Sequence, residues 1–476
     1  MKQFKVTFLL IMLMSMVGAK VSAYDFEVDG ICYKVLSLED LTCEIAPRYS
    51  KSSNYSGYFT IPNEVQYQGR TFKVIQIGEY AFAESSVNSV TVPEGIKTIG
   101  EEAFSECGRI VSMQIPSTVT SIGSRSFFSC KSLVSITLPK SMTSIGDWAF
   151  TYCTSLSQIT IPDGISSIQG STFRGCTSLV DVSISQSVKS IGESAFENCS
   201  ALVSIDLPNS LESIGESAFK SCSTLKEFKV PSSCNEIRNY AFNDCKNLKK
   251  LIIEDNTTPL LLGFSYLRND YDKQYSDLFT SKNNFSLDTL YLGRIAKRGL
   301  KWLTNGGRDF RIVADYGIFG SNLRSITIGN MVTDEIYNSD ERYLFSKIKS
   351  HHITIGNGIT TIPDLSYNEY LDSIVVLNEI PPSAVGFANK TYLDCRLYVP
   401  KGCKAAYESA DVWKNFWNVI ELEQDFNTLD IKTYNETSGE IEVSRYSVDG
   451  KRINAPQKGI NIVKLSDGTV KKVVVK

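Results

Sequence analysis

Residues 130–175 read CKSLVSITLPKSMTSIGDWAFTY and then CTSLSQITIPDGISSIQGSTFRG. These are two successive copies of one 23-residue unit, the first running from Cys130 through Tyr152 and the second beginning at Cys153. A fixed period determines a fold more firmly than local propensity does, because every copy must take up the same conformation. The conformation of this unit therefore determines the fold of the whole repeat region.

The repeat continues in both directions over residues 73–253, with a consensus of roughly C-x2-L-x2-I-x-[IL]-P-x2-[VILM]-x2-I-G-x2-[AS]-F-x2. Its most regular column is a phenylalanine that follows a small residue. The column comprises Phe82, Phe104, Phe127, Phe150, Phe173, Phe196, Phe219 and Phe242.

Each unit contains one stretch with a period of two residues. Val134, Ile136 and Leu138 alternate with Ser135 and Thr137, which predicts a short strand with one buried face. Proline ends the strand because it has no N–H to give to a ladder. We expect the Ile-Gly and Ala-Phe positions to turn the chain back, with the phenylalanine pointing inward.

A single 23-residue unit cannot fold alone. Ordering the backbone costs roughly 1–2 kcal/mol per residue, so neighbouring units must bury each other. The sequence therefore predicts a β-rich repeat solenoid whose strands stack in parallel about 4.8 Å apart.

These residues resemble the leucine-rich repeats of the BspA-like class, which occur in surface proteins of Bacteroidetes and of some spirochaetes and protozoa. The resemblance covers residues 73–253, where eight copies keep the isoleucine and the phenylalanine in phase, most of them as Ile-Gly and Ala-Phe. It implies a leucine-rich repeat array and a role in binding host matrix proteins.

The predicted organisation has six parts. They are a signal peptide (1–23), an N-terminal β cap (24–72), regular repeats (73–253), an irregular insertion or degenerate repeats (254–320), degenerate repeats with a closing cap (321–423) and a small C-terminal β domain (424–476). We expect Tyr407, Trp413, Phe416 and Trp417 to cover the last open layer of the array.

The last part has no repeat phase. Asp449-Gly450 and Asp467-Gly468 lie between alternating segments and predict hairpin turns. The run from Arg445 to Arg452, with Gly459-Ile460 and residues 471–476, resembles the C-terminal sorting domains of secreted Bacteroidetes proteins. An ordinary β cap is the alternative interpretation.

The N-terminus predicts export. Lys2 and Lys5 precede a largely apolar run over residues 6–17, and Val21-Ser22-Ala23 offers a cleavage site. The apolar run is too short to span a bilayer, so no transmembrane span is expected in the mature chain. Cleavage would change the net charge from -3 to -6, which disfavours nucleic acid as a partner.

Cysteine occupies one repeat column, which forms a predicted structural ladder. Its members are Cys107, Cys130, Cys153, Cys176, Cys199, Cys222 and Cys245. We expect buried free thiols there, because Ser85 takes the same place in the first unit. The pairs Cys32 with Cys43 and Cys395 with Cys403 are left open between disulfide and thiol, since export permits a disulfide.

No catalytic arrangement is recognisable, so an enzyme, a cofactor and a metal site are not predicted. The two histidines, His351 and His352, are adjacent and would face opposite sides of a strand. Zincin, Walker, nucleophile-elbow and dinucleotide motifs are missing. Asp270, Asp272 and Asp277 lack the glycine and the terminal glutamate of an EF-hand loop and are expected in a solvated loop.

The side chains between the buried strand positions form a candidate binding surface, named here the strand face. It comprises Ser112, Gln114, Ser135, Thr137, Gln158, Thr160, Asp181, Ser183, Ser204, Asp206, Glu227 and Lys229. Such a face either simply solvates the sheet or contacts a protein, as solenoids commonly do. It carries no aromatic residue, which argues against sugar stacking.

Three functions remain open at this point. The leading hypothesis is a secreted or cell-surface adhesion protein that binds another protein, such as a host extracellular-matrix protein. The second is a carbohydrate-capture protein, whose glycan would bind at the aromatic segment Tyr266 to Phe279 and depend on Tyr271 and Tyr275. The third is an enzyme within residues 254–320.

Overall fold

The computed structural model describes residues 23–258, 260–264, 287–293, 296–298, 324–329, 350–362, 365–366 and 368–422, with four strands between 442 and 475. Two compact units are present. The first is formed by Met1–Leu287 with Arg294–Ser321, and the second by Asp288–Gly293 with Asn322–Lys476. Residues 1–22 of the predicted signal peptide lie outside the described residues.

Strands are numbered in chain order. Up to residue 264 they are β1 (Phe26–Val28), β2 (Ile31–Ser37), β3 (Thr42–Ile45), β4 (Ser56–Thr60), β5 (Glu64–Tyr67), β6 (Arg70–Ile77), β7 (Ser86–Thr91), β8 (Thr98–Ile99), β9 (Ser112–Gln114), β10 (Ser121–Ile122), β11 (Ser135–Thr137), β12 (Ser144–Ile145), β13 (Gln158–Ile161), β14 (Ser167–Ile168), β15 (Asp181–Ile184), β16 (Ser190–Ile191), β17 (Ser213–Ile214), β18 (Glu227–Val230), β19 (Glu236–Arg238), β20 (Lys250–Ile253) and β21 (Leu260–Phe264).

The later strands are β22 (Thr289–Leu292), β23 (Ala296–Arg298), β24 (Ser325–Ile328), β25 (His352–Ile355), β26 (Thr361–Ile362), β27 (Ser373–Val376), β28 (Ser383–Ala384), β29 (Arg396–Val399), β30 (Asn418–Glu421), β31 (Glu442–Ser447), β32 (Arg452–Ile453), β33 (Gly459–Leu465) and β34 (Val470–Val475). The described helices are α1 (Asn389–Asp394), α2 (Lys404–Ser409) and a 3-10 turn at Trp413–Asn415. None of them is long and apolar enough to cross a bilayer.

The regular repeats form a β-solenoid in which residues 23 positions apart pair in parallel. On the strand face, β9 pairs with β11, β13 with β15 and β18 with β20. A second ladder, β8-β10-β12 and β14-β16-β17-β19-β21, runs through the Ile-Gly positions. The sequence analysis predicted a turn at the Ile-Gly positions but no strand, and the structure shows a two-residue strand before the turn. Each Ser-Ile pair lies in register with its equivalents, as Ile122 does with Ile145.

The buried positions of the face strands differ from the prediction in one respect. Strand β11 begins only at Ser135, and Val134 before it is 42% exposed, while Leu138 is half-buried. Leu133 takes the inward place instead, because the turn that follows Cys130 brings it over the core. In the repeat that holds Ile205, residues 202–208 form no strand, although Ile205 itself is buried.

The phenylalanines lie at the centre of each layer, as predicted, and are fully buried. Consecutive rings from Phe82 to Phe242 stack with centroids 5.1–6.0 Å apart and planes within 15° of parallel. The turn around each ring also forms a ladder, in which the Phe127 amide donates to Ala149 O of the next copy at 2.8 Å. The core is thus a continuous column of rings closed by hydrogen-bonded turns.

Parallel stacking begins before the first regular repeat. Strands β1, β2 and β3 form an antiparallel meander, but β3 pairs in parallel with β6, and β6 with β8. Strand β4 likewise pairs in parallel with β7. Tyr55 and Phe59 pack on Phe82 at 5.3 and 4.9 Å and cover the first ring of the column.

The described strands between residues 254 and 320 continue parallel pairing. In the first unit β21 pairs with β19 and β23 with β21. In the second unit β22 pairs with β24. Most of the remaining segment, including Tyr266 to Phe279, lies outside the described residues.

The second unit contains a parallel sheet in the order β22-β24-β25-β27-β29-β30. Tyr407, Trp413 and Phe416 pack over its last layers and are buried, and Trp413 Nε1 donates to Pro382 O at 2.7 Å. Trp417 does not join them: it is 77% exposed, because the chain turns into β30 directly after it. The expectation for Trp417 was wrong.

Strands β31, β32, β33 and β34 form a four-stranded antiparallel sheet in the order β32-β31-β33-β34. Strand β31 pairs with β32, and β33 with β34. The dipeptides Asp449-Gly450 and Asp467-Gly468, predicted as the hairpin turns between these strands, lie outside the described residues.

Candidate binding surface

The twelve residues of the strand face lie on one side of the first unit. All are solvent-exposed except Ser135, which is half-buried. Neighbouring copies present their side chains in register, with Ser112 opposite Ser135 and Gln158 opposite Asp181. Ser204 and Asp206 belong to the segment that forms no strand, but they are exposed like the others. The arrangement is a flat polar surface on a rigid ladder.

Charge on the strand face is confined to its C-terminal part and is largely paired there. Lys250 Nζ lies 3.1 Å from Glu227 Oε1, and Lys229 Nζ lies 2.9 Å from Glu254 Oε1. Asp181 and Asp206 are exposed carboxylates in the copies before. The surface therefore changes from neutral hydroxyl and amide groups to charged groups along the array.

Beside the strand face runs a column of exposed valines that the sequence analysis missed. Val111, Val134, Val180 and Val203 occupy equivalent repeat positions and are 42–55% exposed. Each directly precedes a strand-face residue, namely Ser112, Ser135, Asp181 and Ser204. Ser157 takes this position in the copy between Val134 and Val180. The signal was present in the sequence as an apolar column, but its period of 23 made it look like part of the core.

Hydroxyl groups elsewhere in the repeat are used within the scaffold. Thr118, Ser141 and Ser210 donate to carbonyl oxygens of the preceding turn at 2.7–2.8 Å. In the described residues, the side chains of Gln114 and Thr160 on the strand face make no such bond. Their hydrogen-bonding groups are therefore available to a partner.

The cysteine column is a ladder of free thiols, as expected. Each Sγ donates at 2.9–3.2 Å to the carbonyl oxygen of the phenylalanine that lies 25 or 26 residues before it, in the neighbouring turn of the solenoid. Ser85 makes the corresponding bond to Ser53 O at 2.9 Å. Burial raises the pKa of every thiol in the ladder, and raises that of Cys107 to about 12. These cysteines connect successive turns, and their burial is expected to make them slow to react.

No disulfide joins either of the two pairs that the sequence left open, Cys32 with Cys43 and Cys395 with Cys403. Cys43 lies opposite Val35 in the β2–β3 pair, whereas Cys32 lies opposite Ala46. The two cysteines are thus three positions apart along the strands, roughly 10 Å, which exceeds the reach of a disulfide. Strand β29 separates Cys395 from Cys403 in the same way.

The ladder leads to a prediction about thiol reactivity. In the native protein at pH 8, we expect a thiol reagent to modify Cys403, which is only half-buried, well before Cys153. Burial raises the pKa of the Cys153 thiol well above its usual range, so very little of it is present as thiolate, the form that the reagent attacks. Peptide mass spectrometry after timed alkylation measures both rates. Rapid labelling of Cys153 while the circular dichroism of the native protein persists would contradict the buried ladder.

Each histidine bonds a residue of the next strand. His351 Nδ1 lies 2.9 Å from Asp372 Oδ2, and His352 Nδ1 lies 2.8 Å from Ser373 Oγ. Burial lowers the pKa of His352. Among the described residues no three His, Cys, Asp or Glu side chains come together as ligands for a metal ion. Asp270, Asp272, Asp277, Tyr271 and Tyr275 lie outside the described residues.

A family model described as the BspA type leucine rich repeat region matches this chain in six copies, over residues 75–180 and 143–261. No curated protein matches the sequence. Among solved structures, a leucine rich cell surface protein from Faecalibacterium prausnitzii is 19% identical with a TM-score of 0.41, covering 87% of this chain and 98% of its own. A leucine-rich repeat protein from Bacteroides ovatus is 21% identical with a TM-score of 0.46, covering 84% and 100%.

Proposed function

We propose that this chain, whose residues 75–261 form a BspA-type leucine-rich repeat region, is an exported or cell-surface binding protein that contacts another protein through its strand face. Leucine-rich repeat arrays are surfaces for protein interaction, and an extended ladder offers a long contact area on a rigid scaffold. The partner class that best fits the resemblance is a host extracellular-matrix protein.

One observation carries the proposal. The hydroxyls on the other sides of the repeat donate to backbone carbonyls of the neighbouring turn, as Ser141 does to Val119 O. On the strand face, Thr137, Gln158 and Thr160 project to solvent without such a bond in the described residues. The exposed valine column beside them adds apolar area at the edge of this polar surface. A polar face with an apolar margin suits a protein partner, since protein interfaces combine both.

A solid-phase screen against extracellular-matrix proteins tests the proposal. The variant Thr137→Arg with Thr160→Arg places two long cations on the strand face without touching the core. Any matrix protein that binds the wild-type chain should bind this variant about tenfold more weakly or worse. The reason is that two large charged side chains would lie unpaired in the interface.

The matched control carries the same change beside the second ladder, Thr120→Arg with Ser166→Arg, at exposed positions directly before β10 and β14. It should bind like the wild type. A glycan panel is included as the arm for the carbohydrate alternative. Failure of every matrix protein to bind, or equal loss in both variants, would count against the strand face as the binding surface.

A further inference from the structure

A cluster of aromatic and cationic side chains lies on the turns of the copies that contain Phe127, Phe150 and Phe173. Its members, named here the turn-edge cluster, are Arg125, Phe128, Trp148, Tyr152 and Arg174. The guanidinium groups of Arg125 and Arg174 lie 5.7 and 5.6 Å from the centre of the Trp148 ring, one from the copy before and one from the copy after. Phe128 meets Tyr152 edge to face at 5.8 Å.

The scaffold does not require these side chains. The next copy carries Ser171 in the column of Trp148 and Gly175 in the column of Tyr152, with the same turn. Trp148 and Tyr152 each have a φ of 61°, a left-handed conformation in which bulky residues are uncommon. Tyr152 is exposed and Trp148 is half-buried, so both rings can be reached from solvent. Large side chains that the turn does not need and that solvent can reach point to a binding role.

The arginines keep donor groups available. The Arg125 side chain is 49% exposed, and its ion pair with Glu102 is a single 3.4 Å contact. Arg174 and Lys220 share the carboxylate of Glu197, at 3.1 and 3.3 Å. Stacking on the indole holds both guanidinium planes in place, which lowers the entropy lost when they bind a carboxylate.

The geometry of the cluster favours a polypeptide over a glycan as its ligand. A pyranose ring stacks on an open aromatic face, but guanidinium groups flank Trp148, and the Phe128 and Tyr152 rings are inclined at 78°. The local charge is also balanced, because Glu102, Asp147 and Glu197 offset three cations. The cations are Arg125, Arg174 and Lys220, so the net charge of the cluster attracts an acidic glycan only weakly. Short-range contacts to Trp, Tyr and Arg are the typical anchors of protein interfaces.

We propose that the turn-edge cluster binds a polypeptide segment that carries both carboxylate and aromatic side chains, at a site separate from the strand face. The carboxylates pair with the guanidinium forks of Arg125 and Arg174, and an aromatic ring of the partner packs against Tyr152 and Phe128. The site gives the array a second binding surface with its own chemistry.

The test uses the full chain and a random copolymer of glutamate and tyrosine as the probe. The variant Trp148→Ser with Tyr152→Gly copies what the next repeat carries, so the turn is retained. We expect it to bind the copolymer at least roughly tenfold more weakly than wild type in a titration. Tyr80→Ser, in the same repeat column as Trp148, is the matched control and should bind like wild type.

Two further arms keep the outcomes distinct. The strand-face variant Thr137→Arg with Thr160→Arg should still bind the copolymer. The two proposals can therefore fail independently of each other. Polygalacturonate, an acidic glycan without aromatic rings, should not compete. The proposal is overturned by lack of saturable copolymer binding, by equal binding to the Trp148 and Tyr152 variant, or by effective competition from polygalacturonate.

Discussion

Replacing Phe150 with alanine is expected to lower the stability of the array by about 3–5 kcal/mol. The Phe150 ring is fully buried between Phe127 at 5.3 Å and Phe173 at 5.6 Å, and its plane is within 8° of both. Removing it takes away contacts on both ring faces and leaves a cavity in a layer that cannot collapse, because the neighbouring turns are fixed by their own hydrogen bonds. Urea unfolding followed by circular dichroism measures the loss.

Phe150→Leu is the conservative control for this prediction. Leucine retains most of the buried volume but not the stacking, so we expect a loss of about 1–2 kcal/mol. The alanine variant should also accelerate alkylation of Cys176, whose Sγ donates to Phe150 O, while Cys32 in the N-terminal meander remains protected. A stability within about 1 kcal/mol of wild type for Phe150→Ala would show that the ring column contributes little.

The features predicted correctly from the sequence are those that the 23-residue period alone determines. When every copy carries phenylalanine and cysteine at one phase, stacking places equivalent atoms one layer apart, and the inward direction follows from their apolar character. The stacked rings of Phe127 and Phe150 and the thiol contact of Cys153 with Phe127 O are direct consequences. The exposed strand face followed from alternation within each copy.

Other features depend on information that the period does not carry. Val134 is apolar like Leu133, and only the path of the turn decides which of the two points outward. The strands of the second ladder, such as β10, contain only two residues. A segment this short shows no alternation of apolar and polar side chains in the sequence, so it could not be predicted as a strand. The turn-edge cluster combines Trp148 of one copy with arginines of the copies before and after, so it becomes visible only when the layers are stacked.

Gly146→Ala is expected to be as damaging as loss of a core ring, although it adds one methyl group. Gly78, Gly100, Gly123, Gly146, Gly192 and Gly215 form a column in which each copy contacts the backbone of the copy before. A Cβ on Gly146 would lie 2.5 Å from Ser124 N and 2.7 Å from Gly123 C, both of them backbone atoms that cannot rotate away. The layers would have to separate and weaken the bond from the Gly146 amide to Ile122 O, so we expect a loss of about 3 kcal/mol or more.

Gly108→Ala is the control for this change, because it lies in the same array and a Cβ there would meet only Glu106 O, at 4.0 Å. Other copies carry Lys131 or Thr154 at that position, and we expect an effect within about 0.5 kcal/mol. Two copies carry Gln169 and Arg238 in the glycine column. After Gln169 the amide of Gly170 donates to the Asp147 carboxylate, whereas in the described residues the amide of Asp147, which follows Gly146, makes no corresponding bond to the Ser124 side chain. Thermal unfolding of the two alanine variants compares them directly, and equal melting temperatures would refute the close approach of the layers.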